Sequence, residues 1–169
     1  ALAERVTQPP PAAIIAVGGL SGTGKSTLAA TLAPAIGAAP GAVHLRSDLE
    51  RKALFGVGDT DRLPADTYTP ASSARVYDVL MDKAARIVRA GHVVIVDGVF
   101  ATPVEQLRIA AIARQLGVPF IGLWLTAHPE TMRARVASRR DDASDATVDI
   151  VDRQLTRGIA STPADWLAI

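Results

Sequence analysis

The chain has 169 residues, 49% apolar and 21% charged, with a formal net charge of +1 and no cysteine. That length suits one domain with a real core, and the missing thiols exclude disulfides, thiolate metal sites and cysteine nucleophiles. A balanced charge argues against nucleic acid as the main partner, no apolar run approaches a membrane span and no signal-peptide layout is present, so a cytoplasmic protein is expected.

Residues 1–13, with Pro9-Pro10-Pro11, read as an extended linker, and 14–169 as the folded domain. The apolar run Ile14 to Val17 predicts a strand that feeds Gly19-Leu20-Ser21-Gly22-Thr23-Gly24-Lys25-Ser26-Thr27. This run fills every fixed position of the phosphate-binding pattern G-x-x-x-x-G-K-[ST] in the required strand–loop–helix context. A glycine turn entering a helix aims several backbone N–H groups, and the positive helix end, at one point that favours a phosphate chain. Gly22, Thr23, Gly24, Lys25, Ser26 and Thr27 are therefore the candidate nucleotide-binding residues. Lys25 would reach the β- and γ-phosphates, and the Ser26 hydroxyl would be a Mg²⁺ ligand. Pro34 limits or kinks the helix that follows.

The next apolar run, Val43 to Leu45, predicts a second strand, ending in Arg46-Ser47-Asp48-Leu49-Glu50-Arg51. Asp48 is a candidate base for a substrate hydroxyl, with Arg51 one helical turn on to hold the substrate or a phosphate. The structural alternative is that Ser47 and Glu50 form a capping box and Asp48 only complements the helix N-terminus. Thr69-Pro70 opens a helix with Val76, Val79, Leu80, Ala84, Ile87 and Val88 on one face and Gly91 as its stop. Val93 to Val96 then predicts a strand ending in Asp97. This acid would enter the Mg²⁺ shell or orient Arg51 or the substrate, although an acid after an apolar run also arises by chance.

Thr102-Pro103-Val104-Glu105 combines a capping box with proline at the first helical position, and Gly117 closes that helix. Phe120 to Leu125 predicts a fourth strand, with Trp124 in the core. Pro129 opens a helix expected over Glu130 to Arg140, which places Arg135 and Arg139 on one face, with Arg133 and Arg140 nearby. A hinged segment there would close Arg135 and Arg139 over the phosphates; the alternative is a solvated helix end whose arginines pair with Asp141, Asp142 and Asp145. A last helix is expected over Thr147 to Thr156. His44, His92 and His128 have no metal-ligand spacing and read as structural. Apolar runs alternating with helices imply a largely parallel sheet covered on both faces, with polar residues at the strand ends facing the ligand.

With Lys25, Asp48-x-x-Arg51, Asp97 and the arginine-bearing helix in this order, the chain resembles the small P-loop kinases of the polynucleotide kinase, zeta toxin and gluconate kinase type. More closely, Leu45-Arg46-Ser47-Asp48, Arg62-Leu63-Pro64, Tyr68-Thr69-Pro70, Arg75-Val76-Tyr77, Asp97-Gly98-Val99-Phe100 and Arg140-Asp141-Asp142-Ala143-Ser144-Asp145-Ala146-Thr147 are similar to predicted-kinase domains found C-terminal to an aminoglycoside-phosphotransferase-like domain. The resemblance implies a P-loop three-layer α/β sandwich with strand order 2-3-1-4-5 and a small helical lid. It implies MgATP as donor, Asp48 as base, Arg51 at the acceptor, and lid arginines near Arg135 and Arg139; the sequence departs from it after Trp166, where such domains usually continue, so the final strand is expected to be short, missing or built from Trp166 to Ile169. It names no acceptor.

Two functions follow as expectations. One is an ATP-dependent kinase acting on a small-molecule hydroxyl. The other is an ATP-binding regulatory module or ATPase that controls a fused partner without a phosphoryl acceptor. Within the first class, a nucleic-acid 5′ end is disfavoured by the near-neutral charge and by an aromatic content of 4%.

Overall fold

The computed structural model describes residues 10–139, 142–158 and 162–169. Five strands, β1 (Ile14–Gly19), β2 (Val43–Arg46), β3 (Val94–Asp97), β4 (Phe120–Leu125) and β5 (Leu167–Ala168), alternate with α-helices. These are α1 (Lys25–Leu32), α2 (Ser47–Phe55), α3 (Pro70–Arg89), α4 (Pro103–Leu116), α5 (Pro129–Ala137) and α6 (Val148–Thr156). The sheet order is β2-β3-β1-β4-β5, and every neighbouring pair is parallel. This is the α/β architecture and strand order expected. No helix among the described residues is long and apolar enough to cross a membrane.

The central strands are apolar at consecutive positions because both of their faces are buried. Ile14, Ala16, Val94 and Val96 meet Val76, Leu80 and Ala84 of α3 and Ile109 of α4 on one face. Ile15, Val17 and Ile95 meet Ala29 of α1 and Leu125 on the other. Strand alternation thus divides the core between two helical layers.

Local signals fix the helix starts. Thr69 Oγ1 accepts from the Ser72 amide at 3.1 Å while the Thr69 amide donates to Ser72 Oγ at 3.1 Å. Thr102 and Glu105 make the same reciprocal pair at the start of α4, and Gly117 takes the left-handed conformation that ends it. α1 stops at Leu32, and Pro34 lies in the short 3₁₀ turn that follows.

β5 is a two-residue strand, so the short final strand is present. Its anchor is Trp166, whose indole lies against Gly18 and Gly122; a methyl group at Gly122 would fall 2.5 Å from the ring. Phe100, Phe120 and Trp124 meet the same indole edge to face, with centroids 5.2, 6.0 and 6.1 Å away. Trp124 is in the core, as expected.

Two local expectations are corrected. The helix expected over Glu130 to Arg140 ends at Ala137, with Ser138 as its cap, so Arg139 lies beyond the helix and shares no helical face with Arg135. The Ser138 hydroxyl donates back to the Arg135 carbonyl at 3.1 Å, competing with continuation of the helix. Nor does Ser47–Glu50 form a capping box: α2 starts without a side-chain cap bond, and Glu50 instead pairs with Lys83 at 2.7 Å. Residues 1–9 of the expected linker, together with Arg140 and Asp141, lie outside the described residues.

Candidate active site

The carboxyl ends of β1, β2 and β3 lie side by side, since Val17 is in register with Asp97 and Asp97 with Arg46. Polar residues distant in sequence therefore reach one level, beside the loop that leaves β1. Gly19, Gly22 and Gly24 adopt φ of 132°, 85° and 100°, open to glycine and strained for other residues. At Gly22 a side chain would also strike the backbone of Met132 in α5, so that helix packs directly on the loop.

The loop is tied internally at the Leu20 carbonyl. This oxygen accepts from the Thr23 hydroxyl at 2.8 Å, the Thr23 amide at 3.3 Å and the Lys25 ammonium at 2.8 Å. Thr23 thus holds the loop's shape with both of its donors. Lys25, Ser26 and Thr27 are the first residues of α1, whose opening amides have no intrahelical acceptor and face the loop's concavity.

Three titratable groups perturb one another here. Burial pulls the Lys25 ammonium below the usual lysine range, opposed by Asp97 and then by Asp48. Burial pushes the Asp48 carboxyl up, opposed chiefly by Lys25. Burial also acts to raise Asp97, but polar contact from His44, the charge of Lys25 and polar contact from Ser26 together hold it below the ordinary carboxylate range. Lys25, Asp48, Asp97 and Ser26 are thus brought together, as the sequence suggested.

Asp97 does not orient Arg51. Its neighbours are His44 Nε2 at 3.5 Å and Arg46 Nε at 3.8 Å, both buried atoms without a hydrogen-bond partner among the described residues. Arg51, 8% exposed, turns instead to α3, donating to Ser72 Oγ at 3.2 Å and Ser73 Oγ at 3.1 Å. Its guanidinium stacks 4.6 Å from the centre of the Tyr68 ring. The Tyr68 hydroxyl donates to Asp145 at 2.6 Å, and burial together with this carboxylate pushes its ionisation well above the ordinary range.

On the lid side, Arg135 donates to the Gly22 and Thr23 carbonyls, both at 3.3 Å, lying against the loop's outer edge. Arg139 Nε stands 3.8 Å from Asp142, and Arg139 is close enough to Lys25 to depress its ionisation. Arg133 pairs with Asp152 of α6 at 2.7 Å, away from the loop. The Ser21 amide donates to Gln154 at 2.9 Å, so α6 too is tied to the loop.

Sequence reading missed His44, Arg46, Tyr68 and Asp142 as site residues. For the first two a signal existed: in β2 they alternate with buried Leu45, which sends both to the Asp97 side of the sheet. Tyr68 and Asp142 come from loops and left no periodic signal.

A family model described as AAA domain matches residues 14–161. An uncharacterized protein of Mycobacterium tuberculosis strain H37Rv is 31% identical over 153 residues, covering 89% of this chain. The chain spans only 29% of that relative's length. Among solved structures, a candidate kinase of Chloroflexus aurantiacus aligns with a TM-score of 0.71 and 21% identity, over 94% of this chain and 85% of that one. A gluconokinase from Sinorhizobium meliloti gives 0.59 and 18%, over 94% and 82%. The Mycobacterium tuberculosis APS kinase CysC in complex with AMPPNP and APS gives 0.57 and 19%, over 76% and 70%. At these identities the structural likeness establishes the fold alone.

Proposed function

The chain belongs to the AAA domain family, and from that premise we propose that it is an ATP-dependent phosphotransferase moving the γ-phosphoryl group to a small-molecule hydroxyl. The observation that carries this reading is the placement of Asp97, in register with Val17 at the end of β3, and of Asp48, in the first turn of α2, beside Lys25 at the mouth of the phosphate loop, where the three perturb one another. A second carboxylate whose ionisation is raised, beside the lysine of the loop, suits the acceptance of a proton from a hydroxyl. The kinases among its structural neighbours, one of them solved with AMPPNP, support the reading.

Phosphoryl transfer asks a protein mainly for positioning and charge neutralisation. The open amides from Gly24 to Thr27 and the Lys25 ammonium would hold the β- and γ-phosphates, and Lys25 would leave the Leu20 carbonyl to do so. Asp48, kept proton-hungry by burial, would accept the acceptor's hydroxyl proton. The acceptor oxygen then bonds to the γ-phosphorus as the bond to the β–γ bridging oxygen breaks, and ADP leaves. Arg51 would hold the acceptor, with Tyr68 as its stacking support. Arg135 would flank the nucleotide and Arg139 the transferring charge.

Ser26 and Asp97 suit Mg²⁺: both offer oxygen, the carboxylate stays ionised, and Ser26 is close enough to help keep it so. Among the described residues no cluster of three His, Cys, Asp or Glu forms a cage, which fits an ion held mostly by phosphate and water. When bound, Mg²⁺ supplies neutralisation of the β- and γ-oxygens.

One observation favours a second reading. The matched relative is far longer than this chain, so an ATP-binding module controlling an attached domain, such as an aminoglycoside-phosphotransferase-like one, fits as well. Asp48→Asn separates the two. For the phosphotransferase, ATP binding persists while transfer falls at least about a hundredfold; unchanged turnover would remove Asp48 as the base.

A further inference from the structure

Resting on the phosphotransferase reading, we propose that Arg46, in addition to Arg139, contacts the γ-phosphate, and that Asp142 competes with that phosphate for it.

The placement is the first argument. Arg46 closes β2 in register with Asp97, on the sheet face that carries α1, and it lines a cavity of about 450 Å³ with Ser26, Thr27, Leu49 and Asp142. It is close enough to Lys25 to depress the lysine's ionisation, and close enough to Asp48 to oppose its rise. Arg51, by contrast, is engaged by Ser72 and Ser73, and Arg135 lies on loop carbonyls. A guanidinium on a strand end is also held more firmly than one beyond a helix terminus.

Hydrogen-bond supply is the second. A guanidinium has five N–H donors. Arg46 commits Nη2 to Asp142 at 2.9 Å, whereas its buried Nε lies 3.8 Å from Asp97 and has no partner among the described residues. A purely structural arginine between two carboxylates would be expected to bond both, because a buried donor without an acceptor is costly. A phosphate in the cavity would supply the missing acceptors in the forked geometry that arginine favours.

Asp142 completes the argument. Its carboxylate meets Arg46 and Arg139 and accepts from the Ser144 amide at 3.1 Å, so it presents to the two arginines the planar anionic edge that a phosphate would. Releasing Arg46 from it is part of binding the triphosphate and is not needed for a diphosphate.

Calorimetric titration of the full chain with AMPPNP and with ADP, both with Mg²⁺, tests this. Arg46→Gln should weaken AMPPNP binding by about ten- to a hundredfold while leaving ADP within about twofold. Asp142→Asn should tighten AMPPNP several-fold and leave ADP unchanged. Equal losses for both nucleotides in Arg46→Gln, or none, would overturn the assignment. Should that variant not fold, Asp142→Asn decides by itself, and unchanged or weaker AMPPNP binding counts against. A wild-type chain that binds neither nucleotide would sink the phosphotransferase reading together with this one.

Discussion

Lys52 and Asp145, 93 residues apart in the chain, meet at 3.2 Å, with Lys52 only 1% exposed. The Lys52 ammonium also donates to the Asp61 carbonyl, while Asp145 accepts from the Leu63 amide at 3.2 Å and the Tyr68 hydroxyl at 2.6 Å. One carboxylate thereby joins the segment after α5 to α2 and to the loop that carries Tyr68 beneath Arg51.

Removing one partner of that pair leaves the other charge buried and uncompensated. Asp145→Ala should cost about 3–5 kcal/mol in urea unfolding, and the Lys52→Met, Asp145→Ala double variant clearly less than the two single losses added together. A loss under about 0.5 kcal/mol for Asp145→Ala would mean that water reaches Lys52 and that the link is weak.

Asp48 predicts a conflict between stability and activity. Its folded ionisation is raised above the ordinary value of 3.8, so in the window above that value the folded state binds more protons than the unfolded one. Stability from this group is complete below the ordinary value and is lost as pH rises through the raised one. Asp48→Asn should therefore melt higher than wild type at pH 7, with the gain shrinking towards pH 4, while transfer is lost. A melting difference independent of pH would contradict the burial cost assigned to this carboxylate.

Trp166 and Gly122 should be energetically coupled. Gly122→Ala forces the indole to shift, at a cost of about 1–3 kcal/mol, and Trp166→Ala empties an aromatic cluster, at about 3–5 kcal/mol. In the Trp166→Ala background the Gly122→Ala penalty should largely vanish. A double-mutant cycle by thermal unfolding that returns strictly additive losses would show that the ring does not rest on β4 as described.

Much of this was legible in the chain because the signals were local. Gly19 to Thr27 carries its own geometry, the capped starts at Thr69 and Thr102 fixed two helices, and the apolar runs located β1 to β4. The arrangement of Asp48 and Asp97 around Lys25 was readable because parallel strands deliver their carboxyl ends to one edge. What escaped depends on tertiary contact. Asp142 and Asp145 reach Arg46 and Lys52 across more than 90 residues, and no periodicity announces such a pair. Arg139 was misplaced because the pattern gave no reason for α5 to stop at Ala137, where the Ser138 hydroxyl turns back to the preceding turn.

The most direct measurement is incubation of the chain with γ-labelled ATP and Mg²⁺ against a panel of hydroxyl compounds, separating labelled products from free phosphate. The account predicts label on at least one non-water acceptor, lost in Lys25→Ala and in Asp48→Asn. Label released only as inorganic phosphate across a broad panel, at a rate indifferent to Asp48→Asn, would contradict it and leave a nucleotide-binding module in its place.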